Sequence, residues 1–345
     1  MSLQVRMKSV RFVGGLPVAW QGNPIWGPHW EEALKASLQE GADGSRRPAV
    51  YRINAQVEAD VVLEIQGAGG GGPRTLQGSL GGFTLQGTLP LTDGTQTVRV
   101  SGVLGNAIAR HAGDAVWLLL LPTPFLVGKT RLEVFSVFDS PAPFFTAGVW
   151  CEALRLLNGK ARVSGSTTRP QAMATLTSFC HSHHSLKYDA HNALNAYVAG
   201  KFGGRFDLSA FLSAAHPLVS CFDLLGALVV LGGALGIPTR WLLEEDDFFI
   251  KTTSLIGFGL CNNPFFLDKN TPLVIGANEM KRTAFNQHGF CESEAVIYDA
   301  CIGPHLGTEA RQGYLNAAVD DVNRRGLPIP LAATIHDELS IGSLV

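Results

Sequence analysis

Hydrophobic and polar residues alternate along much of the first half of the chain. Five strand-like runs, several of them with this alternation and separated by Gly, Pro or Asp-Gly, cover residues 50–57, 61–65, 97–100, 115–120 and 131–138. A period of two puts one set of side chains on each face of a strand, so that one face can enter a core. Many short strands with turn residues between them are typical of sandwiches, and we expect a β-sandwich domain over residues 1–160.

Two six-residue segments in this half resemble each other. Residues 75–80 read Thr-Leu-Gln-Gly-Ser-Leu, and residues 84–89 read Thr-Leu-Gln-Gly-Thr-Leu. Two copies are too few for a repeat array, whose units must stack to bury their cores. The pair therefore favours two neighbouring antiparallel strands.

The second half of the chain has a helical pattern. Predicted helices cover residues 171–184, 221–235 and 313–323, and residues 190–198 are predicted to be part of another. The run 222–235 is almost wholly apolar, and Gly236 and Pro238 follow it as helix stop signals. We expect this half to form an α+β domain over residues 166–345, joined to the first domain through the small polar stretch 158–168.

The charge and hydropathy of the chain indicate which classes of partner to expect and in which cellular compartment the protein lies. The 345 residues carry a formal net charge of −2, and no basic patch indicates nucleic acid or an anionic membrane surface. The first residues contain no long apolar segment of the signal-peptide type, and the apolar run 117–121 is too short to span a bilayer. We expect a cytoplasmic protein, with export by a dedicated secretion machine left open. The six irregularly spaced cysteines are typical of reduced thiols.

Cys221 stands at the first turn of the apolar helix. The positive end of the helix dipole stabilises a thiolate there, which would increase the nucleophilicity of the thiol at neutral pH. The same residue can also be an ordinary small core residue, because cysteine is among the most buried residue types. A histidine base and a carboxylate elsewhere in the chain would favour the first interpretation.

The segment 281–301 contains candidates for both partners. It is predicted to form two strands, and a two-residue turn at 293–294 would place His288 directly opposite Asp299, on one face of the hairpin. A carboxylate at that distance can orient an imidazole and select its tautomer. A structural role for His288 remains an alternative, and His216 and His305 are rival bases.

These motifs together resemble the transglutaminase-like superfamily of cysteine enzymes. The resemblance lies in Cys-x-Asp at the head of the helix, in the Gly-Ile-Pro-Thr-Arg stretch 236–240, which is similar to the family's Gly-Ile-Pro-Ala-Arg, and in the order Cys, His, Asp. It covers about residues 173–307 and implies a papain-like core with Cys221 as nucleophile, His288 as base and Asp299 as orienting acid. The family commonly has His-Ala-Trp at its histidine, whereas this chain has His-Gly-Phe.

Other features do not indicate a cofactor or a metal. The glycine-rich stretch 67–72 lacks the Gly-Lys-Ser/Thr of a phosphate-binding loop. The cluster 180–184, with His191, could suggest zinc, but its histidines do not share one helix face and no Cys-x-x-Cys accompanies them. The acidic run 244–247 is interpreted as a solvated loop, because no alternating calcium ligands follow.

The sequence therefore favours a thiol enzyme that transfers the acyl group of a peptide or protein amide. Hydrolysis, as in a protease, amidase or deamidase, is favoured over crosslinking to an amine. A catalytically inactive interaction protein with the same fold is the alternative from another class. The Cys221 N–H is expected to stabilise the oxyanion, and the second donor could be Asn192, Asn195 or His216.

Overall fold

The chain forms two compact units in a computed structural model. The model describes residues 2–34, 47–70, 72–182, 186–199, 204–245, 248–264, 272–276, 279, 282–320, 322, 328, 334–335 and 340–345. The first unit contains Met1–Ser140 and Ala147–Arg155, and the second contains Pro141–Thr146 and Leu156–Val345. The sequence predicts a boundary between residues 160 and 166, a few residues after Arg155, the last residue of the first unit. The segment Pro141–Thr146 belongs to the second unit, where the Ala142 N–H donates to Gly233 O.

The first unit is built almost entirely of strands. They are β1 (Gln4–Val13), β2 (Val18–Trp20), β3 (Asn23–Pro24), β4 (Trp30–Glu31), β5 (Ala49–Arg52), β6 (Gln56–Gln66), β7 (Arg74–Leu80), β8 (Phe83–Leu89), β9 (Gly94–Val103), β10 (Ala109–Leu120), β11 (Phe125–Val137) and β12 (Val149–Trp150), with a 3-10 turn at Glu32–Leu34. The echoed segments lie in β7 and β8, which pair antiparallel as predicted.

One nine-stranded hydrogen-bonded sheet organises the described part of this unit. Its strand order is β4-β1-β6-β9-β8-β7-β10-β11-β5, and β12-β2-β3 form a small separate sheet. The inward side chains of strands from across the large sheet belong to a single core cluster that includes Val10, Leu85 and Val134. Bulges in β1 and β11 bend the strands, so that one long sheet can curve over its own core.

A buried carboxylate supports the first unit. The Glu133 side chain is 0 % exposed and lies 2.7 Å from Arg110 Nε. Arg155 Nε donates to both oxygens of the same carboxylate, at 3.1 and 3.2 Å. A buried charge is tolerated only when its partners replace the water it has lost, so Glu133 and its two arginines depend on one another.

The second unit combines helices with small sheets. Its elements are α1 (Cys151–Asn158, within which the division falls), α2 (Arg169–Ser182), β13 (Lys187–Tyr188), β14 (Val198–Ala199), β15 (Gly204–Phe206), α3 (Leu208–Leu212), β16 (Leu218–Val219), α4 (Cys221–Ala234), β17 (Arg240–Glu244), β18 (Thr253–Leu255), β19 (Gly259–Cys261), β20 (His288–Ser293), β21 (Val296–Asp299), β22 (Ile302–Gly303), β23 (His305–Leu306), α5 (Arg311–Ala318), β24 (Thr334–Ile335) and β25 (Ile341–Leu344). The largest sheet has the order β23-β21-β20-β17-β24. The chain as a whole is a sheet-rich α+β protein.

Helix α4 is the centre of the second unit, and every residue in it is buried. It begins at Cys221, as the sequence predicts. The Ser220 side chain accepts from the Asp223 N–H while the Asp223 side chain accepts from the Ser220 N–H, which is a capping box. Leu235 is the C-cap, and Gly236 takes a positive φ of 72° that ends the helix.

The helix predicted over residues 190–198 does not form. Instead the Asp189 carboxylate accepts from the N–H groups of His191, Asn192 and Leu194. The next N–H groups, those of Ala196, Tyr197 and Val198, donate to the carboxylate of the more distant Asp223. Side-chain acceptors have therefore replaced the backbone acceptors that a helix would supply.

The last predicted helix is shorter than expected and begins earlier. It is α5, and Val319 after it forms a β-bridge with Ile250. Asp320 then pairs with the buried Arg282 at 2.6 Å. Because of these tertiary contacts, the backbone leaves the helical conformation before residue 323, where the predicted helix ends. In the described part of the chain, no helix has both the length and the apolar character needed to cross a membrane.

Replacement of Glu133 tests the buried ion cluster. Glu133→Ala leaves two arginine side chains close together without their shared counter-ion, and we expect the free energy of unfolding of the first unit to fall by about 3–5 kcal/mol. Urea unfolding followed by fluorescence measures this change. Glu64→Ala is the matched control, because Glu64 pairs with Lys8 at the surface and its loss should have a much smaller effect. Equal effects of the two substitutions would contradict the assignment.

Candidate active site

His288 and Asp299 are hydrogen-bonded inside the second unit. His288 Nε2 lies 2.8 Å from Asp299 Oδ2, and the two residues are only 1 % and 2 % exposed. A carboxylate accepts and does not donate, so Nε2 carries the proton of this hydrogen bond. The bond fixes the ring orientation and leaves Nδ1 as the nitrogen available to another group.

The hairpin that carries this pair has a different register from the predicted one. Its turn is Glu294-Ala295, with φ of 51° and 64°, rather than residues 293–294. Positive φ at both central residues is the type I′ geometry that suits the twist of a two-residue hairpin. Cys291 then pairs with Tyr298, so Asp299 continues opposite Phe290 and His288 lies diagonal to it. A shift of two residues keeps the same face, which is why the two side chains still meet.

Asp299 is held by more groups than His288. Tyr314 Oη donates to Oδ2 at 2.7 Å, and the N–H groups of Cys301 and Ile302 donate to Oδ1 at 2.7 and 3.4 Å. These donors stabilise a buried carboxylate as the anion. Burial by itself would raise the pKa of Asp299, but the charge and the hydrogen bond of His288 outweigh it, and the net pKa is lowered.

Cys221 lies at the beginning of α4, next to the His288 ring. Its backbone N–H is the first of the helix, and no described residue accepts from it. The thiol is close enough to help raise the pKa of His288. His288 Nδ1 is nevertheless buried with no hydrogen-bond partner. The thiol therefore acts on the ring by proximity, with the N–H···S bond not closed in this conformation.

The electrostatics of His288 favour the imidazolium. Burial alone would lower its pKa, but the Asp299 charge and hydrogen bond, with a contribution from Cys221, raise it to about 10. At neutral pH both ring nitrogens then carry protons. A buried cationic N–H without an acceptor is costly, and the Cys221 sulfur is the neighbouring atom that can accept from it.

Gly289 allows the strand to approach the helix closely. A Cβ at this position would lie 2.9 Å from Leu225 Cδ2 and 3.2 Å from Phe222 Cδ1, both on α4. Phe222 in turn stacks on Trp241 of β17, with centroids 6.1 Å apart. The missing side chain thus lets β20 and α4 pack tightly where His288 and Cys221 lie.

The rival bases are engaged elsewhere or exposed. His305 pairs with Asp299 across β21 and β23, but its Nδ1 lies 3.3 Å from Glu309 Oε2. His216 is exposed, and its backbone N–H and C=O both bond to the Tyr197 hydroxyl. Neither arrangement gives the coupling to a buried carboxylate and thiol that His288 has.

Among the candidate oxyanion donors, the structure brings Asn195 to the helix terminus. Asn195 Oδ1 accepts from Ser220 Oγ at 2.6 Å, directly before Cys221. Asn192 and His216 are both exposed. The sequence offered three equivalent candidates, because the turn that carries Asn195 to Ser220 depends on the remote carboxylate of Asp223.

The described residues contain no group of three or more His, Cys, Asp or Glu side chains arranged for a metal ion. His181 contacts Ala300 O and Ser254 Oγ through its ring nitrogens, at 3.1 and 3.3 Å. Residues 183–184 and 246–247 of the other sequence candidates lie outside the described residues. All six cysteines are free thiols.

The chain was compared with protein-family models, curated proteins and solved structures, and matches were found among the solved structures. No protein-family model and no curated protein matches it. Among solved structures it is similar to the crystal structure of red sea bream transglutaminase, with a TM-score of 0.45 and 11 % identity over 74 % of this chain and 49 % of that one. The chain thus spans about half the length of that enzyme. The family assignment remains a resemblance of motifs around Cys221, His288 and Asp299.

Thiol labelling tests the environment of Cys221. Burial raises the pKa of the other five thiols, Cys151, Cys180, Cys261, Cys291 and Cys301. Because only Cys221 combines a helix N-terminus with the His288 imidazolium, we expect iodoacetamide to modify it first in the folded protein at pH 6. Peptide mass spectrometry after timed quenching measures the order. Labelling of Cys221 no faster than that of the other cysteines would make it an ordinary core residue.

The protonation of His288 is a second test. Because its pKa is raised to about 10, the folded protein should keep the imidazolium through pH 8, where an ordinary histidine is neutral. The associated stability is complete below about pH 6.5 and decreases as the pH rises towards 10. Imidazole NMR in protein labelled with ¹⁵N-histidine follows the titration. A midpoint near 6.5 for His288 would contradict the coupling to Asp299.

Proposed function

We propose that the protein is a cysteine-dependent acyl-transfer enzyme that acts on an amide bond of a peptide or protein. The main support is the buried pair His288–Asp299, whose remaining ring nitrogen lies near a thiol at the N-terminus of α4. A nucleophile, a base and a group that orients the base are the parts that thiol catalysis requires.

In this mechanism the Cys221 thiolate attacks the carbonyl carbon of the amide. The carbonyl oxygen gains negative charge as its π bond breaks, and the Cys221 N–H stabilises that charge. His288 Nδ1 then gives its proton to the departing amine, the C–N bond breaks and an acyl-enzyme thioester remains. Asp299 keeps Nε2 protonated, so that Nδ1 is the nitrogen that exchanges protons at each step.

A second nucleophile completes the reaction. Water, deprotonated by His288, would release a carboxylic acid, whereas a primary amine would form a new amide and so a crosslink. We favour hydrolysis, and crosslinking is the alternative. The Cys221 side chain is only 4 % exposed, so neighbouring residues must move before a peptide reaches it.

A three-readout assay tests the activity. A protein substrate with accessible glutamine is incubated with the enzyme, and the readouts are new peptide termini, released ammonia and incorporation of a biotinylated primary amine. Intact-mass analysis detects an acyl group on Cys221. The readout that responds separates proteolysis, deamidation and crosslinking.

Substitution of the three residues assigns the roles. We expect no covalent turnover from Cys221→Ala and a large loss from His288→Ala. Asp299→Asn should lose tenfold to a thousandfold, about 1.4–4 kcal/mol of barrier, because a preformed thiolate–imidazolium pair depends less on its third member than a serine triad does. Cys291→Ala is the matched control, since it removes another buried thiol on β20 and should leave turnover intact.

Two results would contradict the proposal. Full turnover by Cys221→Ala, with folding verified by thermal unfolding, would exclude a thiol mechanism. Absence of turnover and of an acyl-enzyme in the wild type, together with an unreactive Cys221, would favour the inactive interaction protein.

A further inference from the structure

Tyr314 binds the same carboxylate oxygen as the imidazole. Its hydroxyl donates to Asp299 Oδ2 at 2.7 Å, and His288 Nε2 lies 2.8 Å from that oxygen. Tyr314 is completely buried. Burial, strengthened by the Asp299 charge, raises the pKa of the phenol well above its ordinary value. The hydroxyl therefore remains a donor over the whole physiological range of pH.

The position of the Tyr314 ring is set by packing on both sides. Its centroid lies 4.5 Å from that of Phe290 and 4.7 Å from that of His305, the latter edge to face. The helix that carries it, α5, is attached to the hairpin by Arg311, which donates to Glu292 Oε2 at 2.9 Å. A phenol with its ring fixed in this way has little freedom to point its hydroxyl elsewhere.

The donors divide the two oxygens of Asp299 between them. Oδ1 accepts backbone N–H groups that follow Asp299 directly in the chain, whereas Oδ2 accepts the two side chains, His288 and Tyr314. Without the phenol, Oδ2 would have the imidazole as its only remaining hydrogen-bond donor among these groups. The carboxylate could then turn about its terminal torsion and would carry more of its charge towards the ring.

We propose that Tyr314 is a positioning residue of the active site, which holds the Asp299 carboxylate in the orientation that His288 needs. This role depends on the proposed acyl-transfer function, but the hydrogen-bond chain Tyr314–Asp299–His288 does not. Tyr314 does not touch the thiol in this scheme and acts through Asp299 alone. Its hydroxyl moderates the basicity of Oδ2 and fixes its direction at the same time.

The substitution Tyr314→Phe removes the hydroxyl and keeps the ring. We expect the NMR titration of His288 to move upward by about one pH unit, because the anion that stabilises the imidazolium is no longer shared with a second donor. In the turnover assay we expect kcat to fall about 10- to 100-fold with KM little changed, since orientation of the base matters in the transition state.

Tyr298→Phe is the matched control. Tyr298 is a fully buried tyrosine on β21 next to Asp299, and its hydroxyl makes no described contact with that carboxylate. The control should leave both the His288 titration and kcat unchanged. Among the described residues, the other ionisable groups near the pair are the thiols of Cys221 and Cys301, Glu244 opposite His288 on β17, and His305 opposite Asp299. All four are the same in every variant.

A second probe serves if the phenylalanine variant does not fold. Incorporation of 3-fluorotyrosine at position 314 keeps the hydroxyl and makes it a stronger donor, because fluorine withdraws electrons from the ring. The His288 titration should then move downward, opposite to the effect of Tyr314→Phe. A purely structural tyrosine would not produce shifts of opposite sign.

The outcomes separate the two proposals. Turnover in the wild type with an unchanged kcat and an unchanged His288 titration in Tyr314→Phe would overturn the role of Tyr314 and leave the acyl-transfer function standing. Shifted titrations in a protein with no turnover would overturn the function while the hydrogen-bond chain stands. Shifted titrations with a kcat loss that Tyr298→Phe does not share would support both.

Discussion

The buried carboxylate of Asp223 determines where helix α4 begins. It closes the capping box with Ser220 and also accepts from the N–H groups of Ala196, Tyr197 and Val198, which come from a different part of the chain. An anion in an apolar core has to be surrounded by donors, and here the donors are the turn that precedes β14. That turn and the N-terminus of α4 can therefore only exist together.

A second buried carboxylate, that of Asp299, holds together the elements around His288. Asp299 collects His288, Tyr314 and two backbone N–H groups, and so joins the β20–β21 hairpin to α5. Because Asp223 caps the helix that begins at Cys221 and Asp299 binds His288, the geometry of the site depends on two buried carboxylates and their donors. Apolar packing, through Gly289 against Phe222 and Leu225, then brings strand and helix together.

Three side chains, those of Cys221, His288 and Asp299, decide what the candidate site can do chemically. The thiol, the imidazole and the carboxylate each occupy one position in the chain, and the chemistry depends on those positions and their partners. Most other residues contribute only volume and polarity to the packing, and many sequences meet that requirement. The packing residues are therefore less constrained in sequence than the three polar ones.

The sequence by itself determined the features whose causes are local. The apolar run after Cys221, its Ser220 and Asp223 cap and the Gly236 stop all lie within one helix, and the alternation of side chains fixed which face of the hairpin His288 and Asp299 share. The register of β20 and β21 depends on the tertiary structure, because the turn at 294–295 has positive φ at two non-glycine residues and is stable only in the folded hairpin. Tertiary contacts also prevent a helix over residues 190–198, because the distant Asp223 accepts from the N–H groups of residues 196–198. The contact of Tyr314 with Asp299 is likewise tertiary. Such contacts join residues far apart in the chain, and no local pattern of hydrophobic and polar positions specifies them.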